Sequence, residues 1–233
     1  MNLKGKKVLV TGGSAGIGKA TAKILVDAGA NVLITGRGQD KLIKVAEEIG
    51  AIPLQFDVSD YESLPKKAAE AVEALGGIDV LINNAGIGTF DLLGEITIDQ
   101  FEKVFATNVF GLTLLTQEIV KHFINQNTGH IINIASTAGT KGFARGTVYA
   151  ASKFALRGMT QCWQAELRKN NIRVMLVNPS EVTTAFANPE RVERPEEASK
   201  LRSTEIAHTI KSVLEMDERG FVPEVTVWAT NPQ

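Results

Sequence analysis

The sequence predicts an α/β fold with one doubly wound parallel sheet and helices on both of its faces. Short apolar segments rich in β-branched residues alternate along the chain with longer segments whose apolar residues recur at helical spacing. No shift of composition and no internal repeat divides the 233 residues, so we expect one domain over residues 1–233. Right-handed crossovers between successive strands then favour the Rossmann-type order 3-2-1-4-5-6-7 for seven strands.

Each predicted strand is a short apolar run that ends at turn-forming residues. The first, Lys7-Val8-Leu9-Val10-Thr11, has the composition of a strand that is buried on both faces, and a glycine-rich turn follows it at once. In chain order, the predicted strands span residues 7–11, 31–35, 52–56, 78–82, 129–134, 172–177 and 222–228.

The predicted helices fill the intervals between the strands, and several end at glycine, which readily adopts the left-handed backbone of a helix C-terminus. Gly29 ends the first helix and Gly50 the second, while Ser59 or Asp60 can cap the third. In chain order, the predicted helices span residues 19–28, 40–49, 59–75, 99–124, 149–169 and 203–216. A polar segment at 188–202 is predicted to be a loop or a short exposed helix.

Composition and charge exclude several classes of protein. The net charge is −1, and no run of basic residues indicates binding to nucleic acid or to a membrane surface. The N-terminal apolar run is too short for a signal peptide or a membrane span. The single cysteine, Cys162, favours a reducing compartment, so we expect a cytoplasmic protein in which this thiol is packed. His122, His130 and His208 have no metal-ligand spacing, and no metal is expected.

The residues best suited to binding or catalysis all follow predicted strand ends. Parallel strands end at one edge of a sheet, and ligands bind there, near the switch point between strands 1 and 4. These residues are the glycines of 12–18 after strand 1, Arg37 after strand 2, Asp57 after strand 3, residues 83–86 after strand 4, Ser136 after strand 5 and Asn178-Pro179 after strand 6.

The turn after strand 1 predicts a dinucleotide-binding site. Gly12, Gly16 and Gly18 lie between a strand and a helix, where glycine allows a sharp turn and lets backbone N–H groups approach a pyrophosphate. The spacing Gly-x-x-x-Gly-x-Gly differs from the more familiar Gly-x-Gly-x-x-Gly. The alternative is a turn that uses glycine only for tight packing.

The end of strand 2 predicts a preference for NADP(H) over NAD(H). Thr35 and Gly36 provide no acid for the ribose hydroxyls of NAD, whereas Arg37 can pair with the 2′-phosphate of NADP. Asp40 is a possible substitute acid, and Ser14 supplies no second positive charge, so the preference is expected to be modest.

Two further residues after strand 3 are assigned to the adenine. We expect the Asp57 side chain to bind the adenine amino group, with Val58 beside it. A helix-capping role for Asp57 is the alternative.

Tyr149 and Lys153 are the candidate proton-transfer pair. They are four residues apart on a predicted helix, which places both on one face. A free phenol has a pKa near 10, and a nearby ammonium favours the phenolate and lowers this pKa. A tyrosine of lowered pKa can act as a general acid/base. By itself, this spacing is also common on ordinary surface helices.

Together these residues resemble the main, shorter-subunit branch of the short-chain dehydrogenase/reductase family, over nearly the whole chain. The motifs that carry the resemblance are Thr11-Gly12-x-x-x-Gly16-x-Gly18, Asn83-Asn84-Ala85-Gly86, Asn108, Ser136, Tyr149-x-x-x-Lys153 and Asn178-Pro179. One departure is Ser180, because the family usually has glycine after Asn-Pro, in a loop beside the nicotinamide.

The resemblance implies four catalytic roles. Tyr149 would exchange a proton with the carbonyl or alcohol oxygen, which Ser136 would hold. Lys153 would lower the pKa of Tyr149 and bind the nicotinamide ribose, while Asn108 would position a water that relays protons to Lys153, unless its amide is only a structural partner. The cofactor-binding residues would be Gly12, Ser14, Gly16, Ile17, Gly18, Arg37, Asp57, Val58, Asn84, Ala85, Gly86, Tyr149, Lys153, Pro179 and Val182.

The sequence indicates the substrate less clearly than it indicates the type of reaction. The favoured reading is a small ketone or 3-hydroxy acid held by loops at about 137–148 and 180–202, and the alternative is a 3-oxoacyl-[acyl-carrier-protein] reductase. A non-catalytic dinucleotide sensor is the remote alternative. Lys141 and Arg145 could bind a substrate anion or belong to a solvated loop.

Two predictions concern packing around the site. Phe143, Phe186 and Trp163 could line a pocket or a subunit interface, but core packing is the favoured interpretation. The resemblance also implies a homodimer or homotetramer packed through the helices at 99–124 and 149–169.

Overall fold

Seven parallel strands form one sheet in the order β3-β2-β1-β4-β5-β6-β7, which confirms the predicted order. The computed structural model describes residues 1–186, 192 and 194–231. The strands are β1 (Lys7–Val10), β2 (Asn31–Gly36), β3 (Ile52–Gln55), β4 (Val80–Asn83), β5 (Gly129–Ile134), β6 (Ile172–Pro179) and β7 (Glu224–Val227).

Helices cover both faces of this sheet. They are α1 (Gly16–Asp27), α2 (Gln39–Ile49), α3 (Leu64–Leu75), α4 (Ile98–Phe105), α5 (Leu112–Gln126), α6 (Thr147–Leu167) and α7 (Ser203–Glu215). A π-helical turn, Ala106–Gly111, joins α4 to α5, and short 3-10 turns lie at Leu93–Glu95, Thr137–Gly139 and Arg168–Asn170.

The alternating side chains of the strands divide the core into two layers. Val8 and Val10 of β1 point into one cluster with α1, α2 and α7, whereas Leu9 points into the other with α3 and α5. Because both faces are covered, the central strands can be apolar at consecutive positions. The long apolar runs that predicted these strands follow directly from this burial.

The starts of two helices differ from the prediction for local reasons. Helix α3 begins at Leu64 rather than at Ser59, because Asp57 first forms a turn with Ser59 and Pro65 then lies in the first helical turn. Helix α1 begins at Gly16 rather than at Lys19, so the last glycines of the turn belong to the helix.

The helix predicted as continuous over 99–124 is interrupted by the π-helical turn. At Gly111 a Cβ would overlap the backbone carbonyl of Val58, so glycine lets this helix cross close to the loop after β3. The interruption is of interest because such turns are frequent at functional sites.

The predicted polar loop at 188–202 lies partly outside the described residues. Its described part is not helical: Leu201 forms a parallel bridge with Val182. Glu181 lies beside this bridge and forms ion pairs with Arg194 at 3.3 Å and Lys200 at 3.0 Å. These contacts hold the end of the loop against the segment that follows β6.

Three further observations concern the described part of the chain only. None of its helices combines the length and the apolar character needed to cross a membrane. It contains no group of three or more His, Cys, Asp or Glu side chains that could hold a metal ion. Cys162 is exposed rather than packed as expected, because it lies on the outer side of α6.

A buried hydrogen-bonded pair, Arg173 and His130, joins the first residues of β5 and β6, at the end of the sheet opposite the carboxyl ends of the strands. Arg173 Nε donates to His130 Nδ1 at 3.1 Å, and Arg173 Nη1 donates to the Gly220 carbonyl at 3.0 Å. The guanidinium stays protonated, so the His130 Nδ1 atom must be the acceptor and therefore carries no proton. Burial and the neighbouring Arg173 charge lower the pKa of His130 to about 3.

This pair predicts how stability depends on pH. The unfolded imidazole takes up a proton below about pH 6.5 while the folded one does not until about pH 3, so the free energy of unfolding should decrease as pH falls through this window. Within this window, His130 contributes a change of roughly 1.4 kcal/mol in the free energy of unfolding per pH unit. When the free energy of unfolding is measured with urea between pH 4 and 7, its slope against pH should therefore be shallower for His130→Gln than for wild type.

The matched control is His122→Gln, which changes an exposed histidine and should keep the wild-type slope. Equal slopes for wild type and His130→Gln would show that the imidazole is not held neutral.

Candidate active site

A cavity of about 960 Å³ opens at the carboxyl edge of the sheet, beside the switch point between β1 and β4. Most of the residues predicted from sequence line it, although they come from six different strand ends and from helix α6. Those residues are Gly12, Ser14, Gly16, Ile17, Arg37, Asp57, Val58, Asn84, Ala85, Gly86, Ser136, Tyr149, Lys153, Pro179 and Val182. Gly18 and Asn108 do not line the cavity but lie behind its wall.

The turn after β1 needs its glycines for two different reasons. Gly12 and Gly16 have φ values of 66° and 51°, which favour glycine. Gly18 has no such φ, but a Cβ there would overlap the Gly12 carbonyl and the Asn84 amide. Gly18 therefore permits close packing beneath the turn, whereas Gly12 and Gly16 shape the surface that faces the cavity.

Helix α1 presents its N-terminus to this cavity. Its N-cap residue, Ala15, has no side-chain cap, and the first turn contains no acidic residue. The N-terminal end of a helix carries a partial positive charge, which favours an anion nearby. The sequence analysis assigned this glycine-rich surface and helix end to the pyrophosphate of a dinucleotide, and that assignment stays a prediction.

The turns after β1 and β4 are tied together by hydrogen bonds. The Thr11 hydroxyl accepts from the backbone N–H groups of Asn84 and Ala85, each at 3.0 Å. In return the Asn84 side-chain amide donates to the carbonyls of Thr11 at 2.9 Å and Gly12 at 3.1 Å. This junction fixes the floor of the cavity.

The end of β2 brings positive charge to the cavity. Arg37 is more than half exposed, and its Nη1 atom lies 3.8 Å from Asp57 Oδ2. Lys41, in the first turn of α2, also lines the cavity, while the expected substitute acid Asp40 does not. The sequence analysis missed Lys41, because the sequence alone does not show which lysine of α2 faces the cavity.

Asp57 is engaged locally in the structure. Its Oδ1 atom accepts hydrogen bonds from the Ser59 backbone N–H at 2.9 Å and from the Ser59 hydroxyl at 2.8 Å. Its other carboxylate oxygen faces Arg37. The helix-capping role that was the alternative for Asp57 is not what the structure shows, because α3 begins only at Leu64; Asp57 forms a local turn with Ser59 instead, and its side chain also lines the cavity.

Ser136, Tyr149 and Lys153 meet at the wall of the cavity. Ser136 follows β5 and forms a hydrogen bond with the Tyr149 side chain, while its Oγ atom accepts from the Ala138 N–H at 3.1 Å. Lys153 lies one turn after Tyr149 on α6, and its Nζ atom donates to the Ile134 carbonyl at 2.8 Å. This Nζ atom lies 5.7 Å from the centre of the Tyr149 ring.

Burial shifts the pKa values of both titratable groups. It raises the pKa of Tyr149 to about 12, with the Ser136 hydrogen bond acting in the opposite direction. It lowers the pKa of Lys153 to about 8. The expected lowering of the Tyr149 pKa by Lys153 is therefore wrong in direction for this structure, because the loss of solvent around the phenol dominates.

Asn108 lies in the π-helical turn and is almost fully buried. Its Oδ1 atom accepts from the Ile87 N–H, and its Nδ2 atom donates to the Ile87 carbonyl, both at 2.9 Å. Nδ2 also donates to Ser152 Oγ at 3.0 Å. A Cβ on Gly86 would lie 3.4 Å from Asn108 Oδ1 and 3.7 Å from Lys153 Nζ, so the amide lies near the lysine.

The two cationic side chains of the loop before α6 have different surroundings in the structure. Lys141 is exposed and lines the cavity. Arg145 does not line it: Arg145 Nε donates to the Phe90 carbonyl at 3.1 Å, and Nη2 lies 4.0 Å from Asp91 Oδ1. Of the predicted anion-binding pair, Arg145 is therefore occupied by the neighbouring loop.

Ser180 is likewise held by a neighbouring segment. Its N–H donates to the Val227 carbonyl at 2.8 Å, and its Oγ atom accepts from the Ala229 N–H at 3.3 Å. The serine found where the resemblance implies glycine thus joins the loop after β6 to the segment after β7.

Three phenylalanines lie at the Tyr149 end of the cavity. Phe143 and Phe186 line it, as one of the two sequence interpretations held, and so does Phe90, which the sequence analysis missed. Trp163 instead packs against the core. Phe90 lies in the long loop after β4, where no spacing or charge marks one apolar residue above the others.

Comparisons with known proteins agree with this geometry. A family model described as short chain dehydrogenase matches residues 6–195. The 3-oxoacyl-[acyl-carrier-protein] reductase of Thermotoga maritima is 38% identical over 189 residues, which are 79% of this chain and 77% of that protein.

Two solved structures extend the comparison over almost the whole chain. An alcohol dehydrogenase from Thermococcus sibiricus, complexed with 5-hydroxy-NADP, has a TM-score of 0.91 at 25% identity, covering 99% of this chain and 98% of that one. A short chain dehydrogenase/reductase from Burkholderia phymatum, in complex with NAD, has a TM-score of 0.86 at 26% identity, covering 96% and 90%.

Proposed function

The chain belongs to the short chain dehydrogenase family of oxidoreductases, and from this premise we propose that it interconverts a carbonyl and a secondary alcohol with NADP(H). One observation carries the proposal. The Tyr149 side chain is hydrogen-bonded to Ser136 at the wall of a cavity that continues to the glycine turn, with Lys153 one helical turn away. A proton donor, an oxygen-binding hydroxyl and a dinucleotide surface are what carbonyl reduction requires.

The proposed roles follow from the position of each group. A nicotinamide, when bound, supplies or accepts the hydride. Tyr149 is protonated at neutral pH, since its pKa lies near 12, and it is therefore ready to donate its proton to a carbonyl oxygen held by Ser136. Lys153, with a pKa near 8, is the group of the pair that can exchange protons near neutral pH and return one to Tyr149.

The supporting residues complete this proposal. Asn108 lies near Lys153 and is proposed to take part in supplying protons to it, although its own side chain is anchored to Ile87 and Ser152. The residues implied for the cofactor by the resemblance are proposed to hold it, with Gly18 acting through packing.

The proposed preference for NADP(H) is supported by Arg37 and Lys41. Both line the cavity at the end of β2, where Thr35 is buried and no acid replaces it. Two cations suit a 2′-phosphate better than the ribose hydroxyls of NAD. Of the two solved structures described above, one is complexed with 5-hydroxy-NADP and the other with NAD. Similarity of fold therefore does not decide between the two cofactors, and the proposed preference for NADP(H) rests on Arg37 and Lys41.

A 3-oxoacyl-[acyl-carrier-protein] reductase is the second candidate. The Thermotoga maritima protein of that name supports it by its identity, and Lys141 at the cavity is a group that an acidic carrier could approach. Comparing turnover of an acetoacetyl thioester with that of simple ketones and 3-hydroxy acids distinguishes the two. A protein that only senses the cofactor would turn over none of these compounds.

A homodimer or homotetramer is proposed through α5 and α6. Three apolar side chains in this region are exposed, and a second copy would cover them. They are Phe110 in the π-helical turn before α5, Leu114 on α5 and Phe154 on α6. Light scattering should give two or four times the mass of the chain, and a monomer would refute this assignment. The single cysteine supports our proposal of a reducing compartment such as the cytoplasm.

Replacing the proposed proton donor tests the function directly. Tyr149→Phe removes only the hydroxyl, so turnover of a ketone with NADPH should fall on the order of 10²- to 10⁴-fold. NADPH binding, followed by fluorescence, should change little. Tyr61→Phe, at the other tyrosine of the chain, is the matched control and should keep wild-type turnover. Near-normal turnover by Tyr149→Phe would remove the basis of the mechanism.

A second experiment tests the cofactor assignment. Arg37→Ala and Lys41→Ala should each lower kcat/KM for NADPH about tenfold or more, because a hydrogen bond to a charged group contributes about 1.5–3 kcal/mol, and should change kcat/KM for NADH much less. Lys44→Ala, on the same helix but away from the cavity, should have no such effect. A wild-type enzyme that prefers NADH would contradict the assignment.

A further inference from the structure

Aromatic rings surround the reactive tyrosine on two sides. The ring centroid of Tyr149 lies 5.5 Å from that of Phe90 and 5.4 Å from that of Phe186, and both pairs are tilted, with interplanar angles of 59° and 55°. The Phe143 ring lies 6.2 Å from Phe90. All three phenylalanines line the cavity, and we call them the aromatic wall.

The space between these rings depends on Gly88. A Cβ at this position would lie 2.9 Å from the Phe90 ring and 3.2 Å from the Phe186 ring. Since the φ value of Gly88 is not in the left-handed region, its lack of a side chain matters through this contact rather than through its backbone. Any larger residue would push one ring away from Tyr149.

Arg145 holds Phe90 in place from behind. Its Nε atom donates to the Phe90 carbonyl at 3.1 Å, and its Nη2 atom approaches Asp91. Asp91 also accepts a hydrogen bond from Gln100 Nε2 at 2.8 Å, which links the loop to the first turn of α4. The loop that carries Phe90 is therefore tied both to α4 and to the loop before α6.

Apart from Lys141, the cations near the aromatic wall have other partners. Lys153 Nζ, 5.7 Å from the centre of the Tyr149 ring, donates to the Ile134 carbonyl at 2.8 Å. Arg145 is engaged with the Phe90 loop. Arg194 pairs with Glu181 at 3.3 Å and donates to the Thr184 carbonyl at 3.2 Å. Lys141 is exposed, and among the described residues it forms no ion pair. A carboxylate placed beside Tyr149 would thus be surrounded by phenyl rings, where an unpaired charge is costly.

We propose that the substrate is an uncharged ketone, or the corresponding secondary alcohol, with an aromatic ring next to the reacting carbon. This inference rests on the proposed carbonyl reduction and assigns its substrate class. Phenyl rings at tilted or offset positions attract another aromatic ring beyond simple burial. Phe90 and Phe186 are specificity residues in this assignment, because they flank the point at which the carbonyl must meet Tyr149.

Matched ketones test this assignment on the wild-type enzyme. Acetophenone and cyclohexyl methyl ketone have similar size and differ in aromaticity, and acetoacetate adds a negative charge. With saturating NADPH, kcat/KM should be about 2- to 12-fold higher for acetophenone than for the cyclohexyl ketone, which is the range that an aromatic pair provides. Acetoacetate should be the poorest of the three.

Two variants connect the preference to the aromatic wall. Phe90→Leu and Phe186→Leu keep apolar contact but remove a ring, so each should lower the rate with acetophenone more than the rate with the cyclohexyl ketone. Phe221→Leu removes a ring that contacts Arg168 far from the cavity and should keep the wild-type ratio. NADPH binding measured for each variant confirms that the fold is retained.

Three outcomes would overturn the assignment. Acetoacetate could be reduced as well as acetophenone, the two neutral ketones could react equally, or the leucine variants could slow both ketones by the same factor. In each case the enzyme reduces carbonyls, so the proposed function stands while the substrate class fails. If no ketone or thioester is reduced at all, the proposed function fails with it.

Discussion

The site depends on the close approach of two backbone turns, one after β1 and one after β4. These neighbouring strands send their helices to opposite faces of the sheet, which opens a crevice between them. The Asn84 amide and the Thr11 hydroxyl close the floor of this crevice by four hydrogen bonds. Gly18 leaves room for the Asn84 amide, because any Cβ there would occupy its place. The positive end of α1 and the wall carrying Tyr149 are both positioned relative to this junction.

The sheet order and the glycine turn that lines the cavity could be predicted from sequence because they depend on backbone requirements. Gly12 and Gly16 are required by left-handed backbone, and such requirements leave a visible residue type at a fixed distance from a strand. Helix boundaries were less predictable where a side chain forms a local turn before the helix, as Asp57 does. They were also less predictable where a helix passes close to another segment, as at Gly111 beside the loop after β3. Lys41 was missed because only the fold shows which surface lysine faces the cavity.

The behaviour of Tyr149 and Lys153 illustrates a different limit. Their spacing correctly places both on one side of α6, but spacing carries no information about solvent. Once both are buried, desolvation favours the neutral form of each, which raises the pKa of the phenol and lowers that of the amine. The direction of each shift could only be obtained from the packed structure.

The aromatic wall follows another rule again, because it is assembled from side chains of loops that are distant in sequence. Phe90 comes from the loop after β4, Phe143 from the loop before α6 and Phe186 from the segment after β6. Each is an ordinary apolar residue until the fold places it near Tyr149. Arg145, which by charge alone suggested an anionic substrate, instead fastens one of these loops to another. A charge in the sequence thus contributes here to an apolar wall, and specificity has to be inferred from what each side chain contacts.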